Sequence, residues 1–189
     1  MTGKELSAVA AAFADEPTFY EYGGWGQEMT LATLNALAER YPKNKPVKPE
    51  NVGKWGFDCI CFIKGLLAGV TPAHHVNSYQ EMVKKCPIGD ATNKQFLDKL
   101  YDCCDPMDAP AGCGLATDKH AGISLGNNRW IDANRCDGQD GVKIHAGIPE
   151  NFKAGKIPGV DYAAAPVTDE VQDFLTWAYN EWRKANGKH

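Results

Sequence analysis

The sequence lacks the unbroken apolar run that a secretory signal or a membrane span requires. Residues 1–20 include an alanine-rich stretch, but Asp15 and Glu16 interrupt it, and only Lys4 supplies a basic charge ahead of it. A signal peptide combines a charged start with an uninterrupted apolar core, so we expect none here. No later window approaches the ~20 apolar residues of a membrane span. The sequence therefore predicts a soluble protein without a signal peptide or membrane insertion.

Blocks of basic residues are also missing. The formal net charge is -4, from 20 Lys and Arg against 24 Asp and Glu, and no cluster of cations argues for binding of nucleic acid or an anionic membrane. With 43% hydrophobic and 23% charged residues, the composition is that of an ordinary globular protein. A chain of 189 residues is long enough to bury a core, and we predict a single domain over 1–189.

Spacings that hold metal ions are absent from the sequence. It has no Cys-x-x-Cys pair and no paired histidine spacing. The cysteines number seven, at positions 59, 61, 86, 103, 104, 113 and 136. Without a secretory signal, these thiols are expected to be reduced rather than paired in disulfides. We therefore predict no metal and no cofactor, and we look among the thiols for one with a chemical role.

Capping signals and hydrophobic periodicity predict helices first, then strands, then a last helix. Helices are expected after Thr2, through Leu31–Ala38, after Asp58, after Ser78 and from Phe96 to Cys104. Between them, a turn-rich aromatic loop covers 20–26 and a surface connection covers 42–54. Strands are expected at 113–117, 120–125, 129–134 and 142–147, followed by an amphipathic helix at 167–186. This order predicts an α+β fold.

Cys59 lies where a helix can activate a thiol. Asp58 is a good N-cap, and apolar residues then recur with helical spacing from Cys59 to Val70. The unpaired N–H groups of a helix start stabilise a thiolate and can also donate to an oxyanion. The alternative is that Cys59 is only the first core residue of this stripe. Cys61 is the nearest rival, but two residues along a helix rotate it by about 200°, away from a cleft that Cys59 faces.

His120 and Asp132 are the expected partners of this thiol. The segment between them has the pattern of a strand, a Gly/Asn turn and a second strand. With a three-residue loop at Gly126–Asn128, the apolar faces of both strands coincide, and His120 and Asp132 become diagonal neighbours on the other face, about 7–8 Å apart. There the carboxylate can fix the tautomer of the imidazole. Trp130 falls on the same face and is expected to line the cleft. His145 repeats the tetrapeptide His-Ala-Gly-Ile and is a competing base, without an acid-bearing return strand.

Four motifs, taken in their order along the chain, resemble one enzyme family. Phe57–Cys59 opening an apolar helix, with His120–Asn127 and Trp130–Ala133 downstream, resembles the NlpC/P60 cysteine peptidases, most closely the prophage endolysin type. Tyr20–Gly24 resembles the aromatic-Gly-Gly motif that precedes the nucleophile in that family. The likeness spreads over about 17–162, and the order of the motifs is more specific than any one of them.

The chain also departs from the family pattern. Ile60-Cys61 replaces the usual Ser-Gly after the nucleophile, and Asp132 stands where His is commoner. About thirty residues separate Gly24 from Phe57, an insertion relative to compact members.

The resemblance implies a papain-like fold, in which N-terminal helices pack on a small antiparallel sheet, with 167–186 as an extra helix. It implies Cys59 as nucleophile, His120 as base, Asp132 as third member and Tyr20 as a substrate or oxyanion contact. The implied activity is metal-free hydrolysis of amide bonds in bacterial peptidoglycan, by a monomer made in the bacterial cytoplasm and released to the wall as phage lysins are. Alternatives are an N-acetylmuramoyl-L-alanine amidase and a catalytically vestigial protein that binds the wall or belongs to a phage particle.

Overall fold

Helices dominate the first half of the chain and strands the second. A computed structural model describes residues 1–42, 48–135 and 140–163. The α-helices in this part are α1 (Gly3–Ala12), α2 (Leu31–Arg40), α3 (Cys59–Leu67), α4 (Tyr79–Lys85) and α5 (Asn93–Lys99). The strands are β1 (Thr18–Tyr20), β2 (Trp25–Glu28), β3 (Trp55–Phe57), β4 (Tyr101–Cys104), β5 (Gly114–Ala116), β6 (Ala121–Gly126), β7 (Arg129–Asn134), β8 (Gly141–Ala146) and β9 (Lys153–Lys156). The predicted α+β class is confirmed, and the helix expected at 167–186 lies outside the described residues.

Helices α1, α3 and α4 begin where the capping signals predict, whereas α5 begins at Asn93, three residues before the predicted Phe96. Thr2 and Thr92 each form a complete capping box with the Glu or Gln three residues later. Asp58 caps α3, and its side chain accepts a hydrogen bond from the Cys61 N–H. Ser78 caps α4, but the Glu81 carboxylate accepts from the N–H of Asn77 instead of closing a box on Ser78. Polar side chains therefore satisfy the first N–H groups of these helices, and they fix the residue at which each helix begins.

The larger sheet contains the four predicted strands and two that were not predicted. Its order is β4-β9-β5-β6-β7-β8, and all pairs are antiparallel. The strand β9 was missed because Lys-Ala-Gly-Lys has no β-branched or aromatic residue. The predicted continuation of α5 to Cys104 is wrong. Leu100 turns to an extended conformation, and the exposed residues of β4 pair with β9.

A small second sheet brings the aromatic loop to the start of α3. Its order is β1-β3-β2, with β1 parallel and β2 antiparallel to β3. The prediction of a simple turn-rich loop over 20–26 is therefore incomplete, because β1 ends inside it and β2 begins inside it. Tyr20 pairs with Phe57, two residues before Cys59. This register places the Tyr20 side chain beside the first turn of α3.

The apolar faces of β6 and β7 lie on the same side of the sheet, as predicted, but a β-bulge and not a three-residue loop is responsible. The pairing register shifts between Ser124 and Gly126, so Leu125 is an extra residue in β6. The turn consists of Asn127 and Asn128, both at φ 53°, as a type I′ turn requires. The predicted three-residue loop is therefore wrong. The bulge provides the odd residue that keeps both apolar faces on one side of the sheet.

The apolar stripe of α3 packs on the strands β6 and β7. Ile63 and Leu66 are fully buried in one cluster with Ile123 and Ile131. Burial of each such side chain contributes roughly 1.5–3 kcal/mol to the free energy of unfolding. The middle of α3 is fixed on the sheet, and its first turn lies at the edge of the core beside the start of β6. Across the residues that the structure describes, every helix is too short or too polar to cross a membrane.

The type I′ turn gives a test of this hairpin. Asn127 is exposed, and a β-branched side chain is strained at positive φ, so Asn127→Val should lower the free energy of unfolding by about 1–2 kcal/mol. Asn127→Gly is the matched control and should cost nothing, because glycine adopts this conformation freely. Urea unfolding followed by circular dichroism measures both. Equal stability of the Val and Gly variants would show that this turn is not strained as described.

Candidate active site

The start of α3 is held by the buried carboxylate of Asp58. Its Oδ1 accepts a hydrogen bond from the Cys61 N–H at 2.7 Å, and its Oδ2 accepts one from the Gly23 N–H at 2.9 Å. Gly23 has φ +79°, and a Cβ there would lie 2.6 Å from Cε2 of Tyr41, so a side chain does not fit. One carboxylate thus caps the helix and fixes the Tyr20–Gly24 loop against it.

Cys59 presents its sulfur to side chains from two other elements. Its Sγ lies 3.5 Å from Nδ2 of Asn93, the first residue of α5. It also lies close enough to the imidazole of His120, which immediately precedes β6, to interact with that ring. Within the described residues, the backbone N–H groups of Cys59 and Ile60 have no hydrogen-bond acceptor. A sulfur atom, an imidazole and two free N–H donors therefore meet at one helix start.

His120 is oriented by Asp132 from the neighbouring strand. Nε2 of His120 lies 2.5 Å from Oδ2 of Asp132, whose side chain is fully buried. The predicted shared face of His120 and Asp132 is confirmed. An ionised carboxylate only accepts hydrogen bonds, so Nε2 of His120 carries its hydrogen. The other ring nitrogen, Nδ1, is left to exchange a proton with Cys59.

A second imidazole completes the surroundings of Asp132. Nε2 of His145 donates to Oδ1 of Asp132 at 2.7 Å. His145 pairs across the strands with Trp130 and is therefore a diagonal neighbour of Asp132. It was expected to compete with His120 as the base, but the structure places it on the far oxygen of the carboxylate. His145 is thus a positioning residue that acts through Asp132.

The charges around His120 favour its protonated form. Burial alone would lower the pKa of the His120 imidazole, but the hydrogen bonds to Asp132 and then to Cys59 outweigh it and raise the pKa to about 10. At neutral pH the ring is therefore an imidazolium held against the sulfur. A cation in contact with a cysteine stabilises the thiolate, which is the nucleophilic form.

Tyr20 lies in the same groove as Cys59. Its backbone is fixed on both sides, because its N–H donates to Asp140 at 2.6 Å and its carbonyl accepts from Arg135 at 2.8 Å. Burial, followed by the nearby charges of Cys59 and Asp58, raises the pKa of the Tyr20 phenol. The hydroxyl group therefore stays protonated and can donate a hydrogen bond to a group bound beside Cys59.

Trp130 does not lie where a substrate contact was expected. It is on the face of His120 and Asp132, as predicted, but it is only 6% exposed. Its ring packs 4.6 Å from that of His145 and 5.1 Å from that of Phe152, and its Nε1 donates to the Gly147 carbonyl. The prediction that Trp130 lines the cleft is wrong, because the ring is buried against His145 and Phe152 and lies outside the groove at Cys59. Trp130 instead supports His145.

The other buried thiols are kept protonated. Burial, then the charge of Asp58, raises the pKa of the Cys61 thiol well above its usual value, and burial also raises that of Cys86. Cys61 was expected to face away from the cleft, yet it borders the same groove as Cys59. Its sulfur interacts with Asp58 and Lys64 instead of His120. Within this groove, Cys59 is the thiol in contact with a base.

A groove of about 390 Å³ runs over Cys59. Tyr20 and Tyr22 line it on the side of the small sheet, and Asn93 and Lys119 line it on the side of α5. A further wall comes from α2 and α4, through Arg40, Tyr41 and Tyr79. The floor includes Lys64, which is 3% exposed and forms an ion pair with Asp90 at 2.8 Å. A volume of about 390 Å³ is within the range of pockets that hold small ligands.

Several of these residues were missed by sequence reasoning. Asn93 donates through Nδ2 to the Lys119 carbonyl at 2.8 Å as well as lying against Cys59. An Asn directly after a helix cap is common, so nothing in the sequence marked it. The pairing of His145 with Asp132 could have been found, because their strand positions have equal parity. Arg40 lies between Gly24 and Phe57, in a segment for which no motif gave an expectation.

The charge on His120 can be measured directly. In the folded protein the imidazole should remain protonated at pH 8, in keeping with its pKa of about 10. Asp132→Asn removes the negative charge and should lower that pKa by more than one unit, as seen in a ¹⁵N NMR titration of the ring. His74, in a loop far from Asp132, serves as the internal control.

The same shift has a consequence for stability. The folded-state pKa of His120 is raised above the ordinary value of 6.5, so its stabilising contribution is complete below about pH 6.5 and fades as the pH rises toward 10. The stability difference between wild type and Asp132→Asn should therefore shrink over this range. A His120 ring that titrates near pH 6 in the wild-type protein would contradict the geometry.

Within the described residues, no group of three or more His, Cys, Asp or Glu side chains is arranged to hold a metal ion. Comparisons of the whole chain with family models, with curated proteins and with solved structures find no match. The arrangement of Cys59, His120, Asp132 and His145 is therefore interpreted on its own chemistry.

Proposed function

We propose that the chain is a cysteine-dependent peptidoglycan amide hydrolase with a papain-like NlpC/P60 fold. One observation carries the proposal: Cys59, at the first turn of α3, contacts an imidazole whose other nitrogen is held by a fully buried carboxylate. This order of thiol, imidazole and acid is the arrangement of a nucleophile, its base and the group that orients the base. The motif resemblance directs the proposal to cell-wall peptides among amide substrates.

The first half of the reaction forms an acyl-enzyme. The Cys59 thiolate attacks the amide carbonyl, a C–S bond forms, and the carbonyl electrons move to oxygen. In this proposal the oxyanion accepts hydrogen bonds from the free N–H groups of Cys59 and Ile60 and from the Tyr20 hydroxyl. As the tetrahedral species collapses, the His120 imidazolium gives its Nδ1 proton to the leaving nitrogen and the C–N bond breaks.

The second half releases the acid product. His120, now neutral, accepts a proton from water as that water attacks the thioester carbonyl. The C–S bond then breaks, and the thiolate and imidazolium are restored. Throughout, Oδ2 of Asp132 accepts the hydrogen of His120 Nε2, which leaves Nδ1 free to exchange protons with substrate and water.

The biological setting follows from the same resemblance. The substrate is bacterial peptidoglycan, and the enzyme acts as a monomer on the wall after phage-type release. The polar groove is open to an extended peptide, which favours a peptidase over a protein that only binds the wall. The muramoyl–L-alanine bond is the alternative target for the same chemistry.

The proposal is tested by digestion of purified peptidoglycan. The wild-type protein should release soluble fragments and new amino groups. Cys59→Ala should abolish the release, by about 10⁴-fold or more, because it removes the nucleophile. Cys103→Ser is the matched control, since Cys103 is exposed on β4 and lies outside the groove. It should keep full activity.

Mass spectrometry of the released fragments identifies the bond. Cleavage within the stem peptide supports an endopeptidase, whereas an intact stem released from the glycan indicates the muramoyl amidase. Release that survives in Cys59→Ala would refute the mechanism. Binding to the wall with no release by the folded wild-type protein would favour the vestigial alternative.

His145 provides a second test of the mechanism. His145→Ala leaves Oδ1 of Asp132 without its donor, so kcat for a soluble wall peptide should fall roughly 10- to 100-fold while KM changes little. Gln can place an N–H near the position of the histidine Nε2, so His145→Gln should recover most of kcat. A merely structural role for His145 would instead give equal losses in both variants, or no loss in either.

A further inference from the structure

Arg40 is a charged residue of the groove that the chemistry at Cys59 does not use. It is the last residue of α2 and lines the groove that contains Cys59. Its guanidinium group lies over two tyrosine rings, 5.4 Å from the centroid of Tyr41 and 5.9 Å from that of Tyr79. Cation–π contacts do not use the N–H donors of a guanidinium group, so these donors remain available to an acceptor.

The acids close to Arg40 are already engaged elsewhere. Asp90 is the acid whose charge interacts with Arg40, but its Oδ1 accepts from Lys64 at 2.8 Å and also from the Tyr79 hydroxyl. Asp58, the other acid of the groove, is buried and accepts two backbone N–H groups. No ion pair joins Arg40 to an acid in the described part of the chain.

Charge in the groove is therefore unbalanced. Lys64 pairs with Asp90 at the floor, and the Asp58 carboxylate is buried against backbone N–H groups. Arg40 on one wall and Lys119 on the other are exposed and form no ion pair in the described residues. The planar fork of a guanidinium group matches the two oxygens of a carboxylate. Arg40 is thus shaped and charged to receive an anion that reaches the groove with the substrate.

We propose that Arg40, held by Tyr41 and Tyr79, is a substrate subsite that binds a free carboxylate of the peptide cleaved at Cys59. The inference rests on the proposed function for the identity of the peptide. Wall stem peptides offer two such groups, the α-carboxylate of the isoglutamyl residue and the carboxylate at the end of the stem. Arg40 then sets which peptides are accepted, and it takes no part in bond cleavage.

The test uses three forms of the tetrapeptide L-Ala-γ-D-Glu-L-Lys-D-Ala. One form has both carboxylates free, one is amidated at the isoglutamyl residue, and one is amidated at the end. Binding to the Cys59→Ala protein is measured by calorimetry. One amidation should weaken binding about 10-fold or more, because a charge-assisted pair is lost. The position of that amidation identifies which carboxylate binds.

Arg40→Gln in the same Cys59→Ala background should bind the fully free peptide as weakly as the parent binds that amidated form. It should also show no further penalty for the amidation. Arg129→Gln is the matched control, since Arg129 is exposed on β7 and lies outside the groove. It should retain the full preference of the parent.

The subsite and the proposed function fail in different ways. If amidation does not change binding, or if Arg40→Gln keeps the preference, the subsite is wrong even when the wild-type protein digests peptidoglycan. If the preference exists and depends on Arg40, but wild-type protein releases nothing from the wall, the subsite stands and the hydrolase proposal falls. Absence of measurable binding by all three peptides would also overturn the subsite.

Discussion

The charge of Asp132 constrains the rest of the site. A fully buried carboxylate is costly unless donors surround it, and here two imidazole N–H groups, from His120 and His145, serve both of its oxygens. Because Nε2 of His120 donates to Asp132, the hydrogen of the neutral ring is on Nε2, and Nδ1 is the nitrogen left for Cys59. The ring of His145 in turn packs on Trp130, which belongs to a buried hydrophobic cluster. The orientation of His120 therefore depends on how the buried Asp132 carboxylate is hydrogen-bonded by residues on the neighbouring strands.

A second buried carboxylate has the corresponding role at the helix. Asp58 accepts N–H groups from α3 and from the loop that follows β1. The register of β1 on β3 then sets the distance from Tyr20 to the helix start. Because α3 is also fixed on β6 and β7 by its apolar stripe, the sulfur of Cys59 is held from both sides. Cys59 and His120 come from distant parts of the sequence, yet rigid elements carry both.

Local signals predicted much of this arrangement. Caps at Thr2 and Asp58, and the parity of His120 and Asp132, depend on near neighbours in sequence, and the structure has them as expected. Features that depend on distant pairing were missed. The strand β9 exists because β4 and β5 flank it, and the bulge at Leu125 replaced the expected loop. Asn93 reaches Cys59 only because α5 packs beside the groove, which no local pattern encodes.

The walls of the groove come from different parts of the chain than the reactive groups do. Cys59, His120 and Asp132 belong to α3 and the large sheet, whereas Arg40 and Tyr41 belong to α2 and its end, between Gly24 and Phe57. Changes in α2 therefore leave the hydrogen bonds at Asp132 untouched. Under the proposed function, substitutions in this one peripheral helix change which substrates are recognised without altering the residues that react.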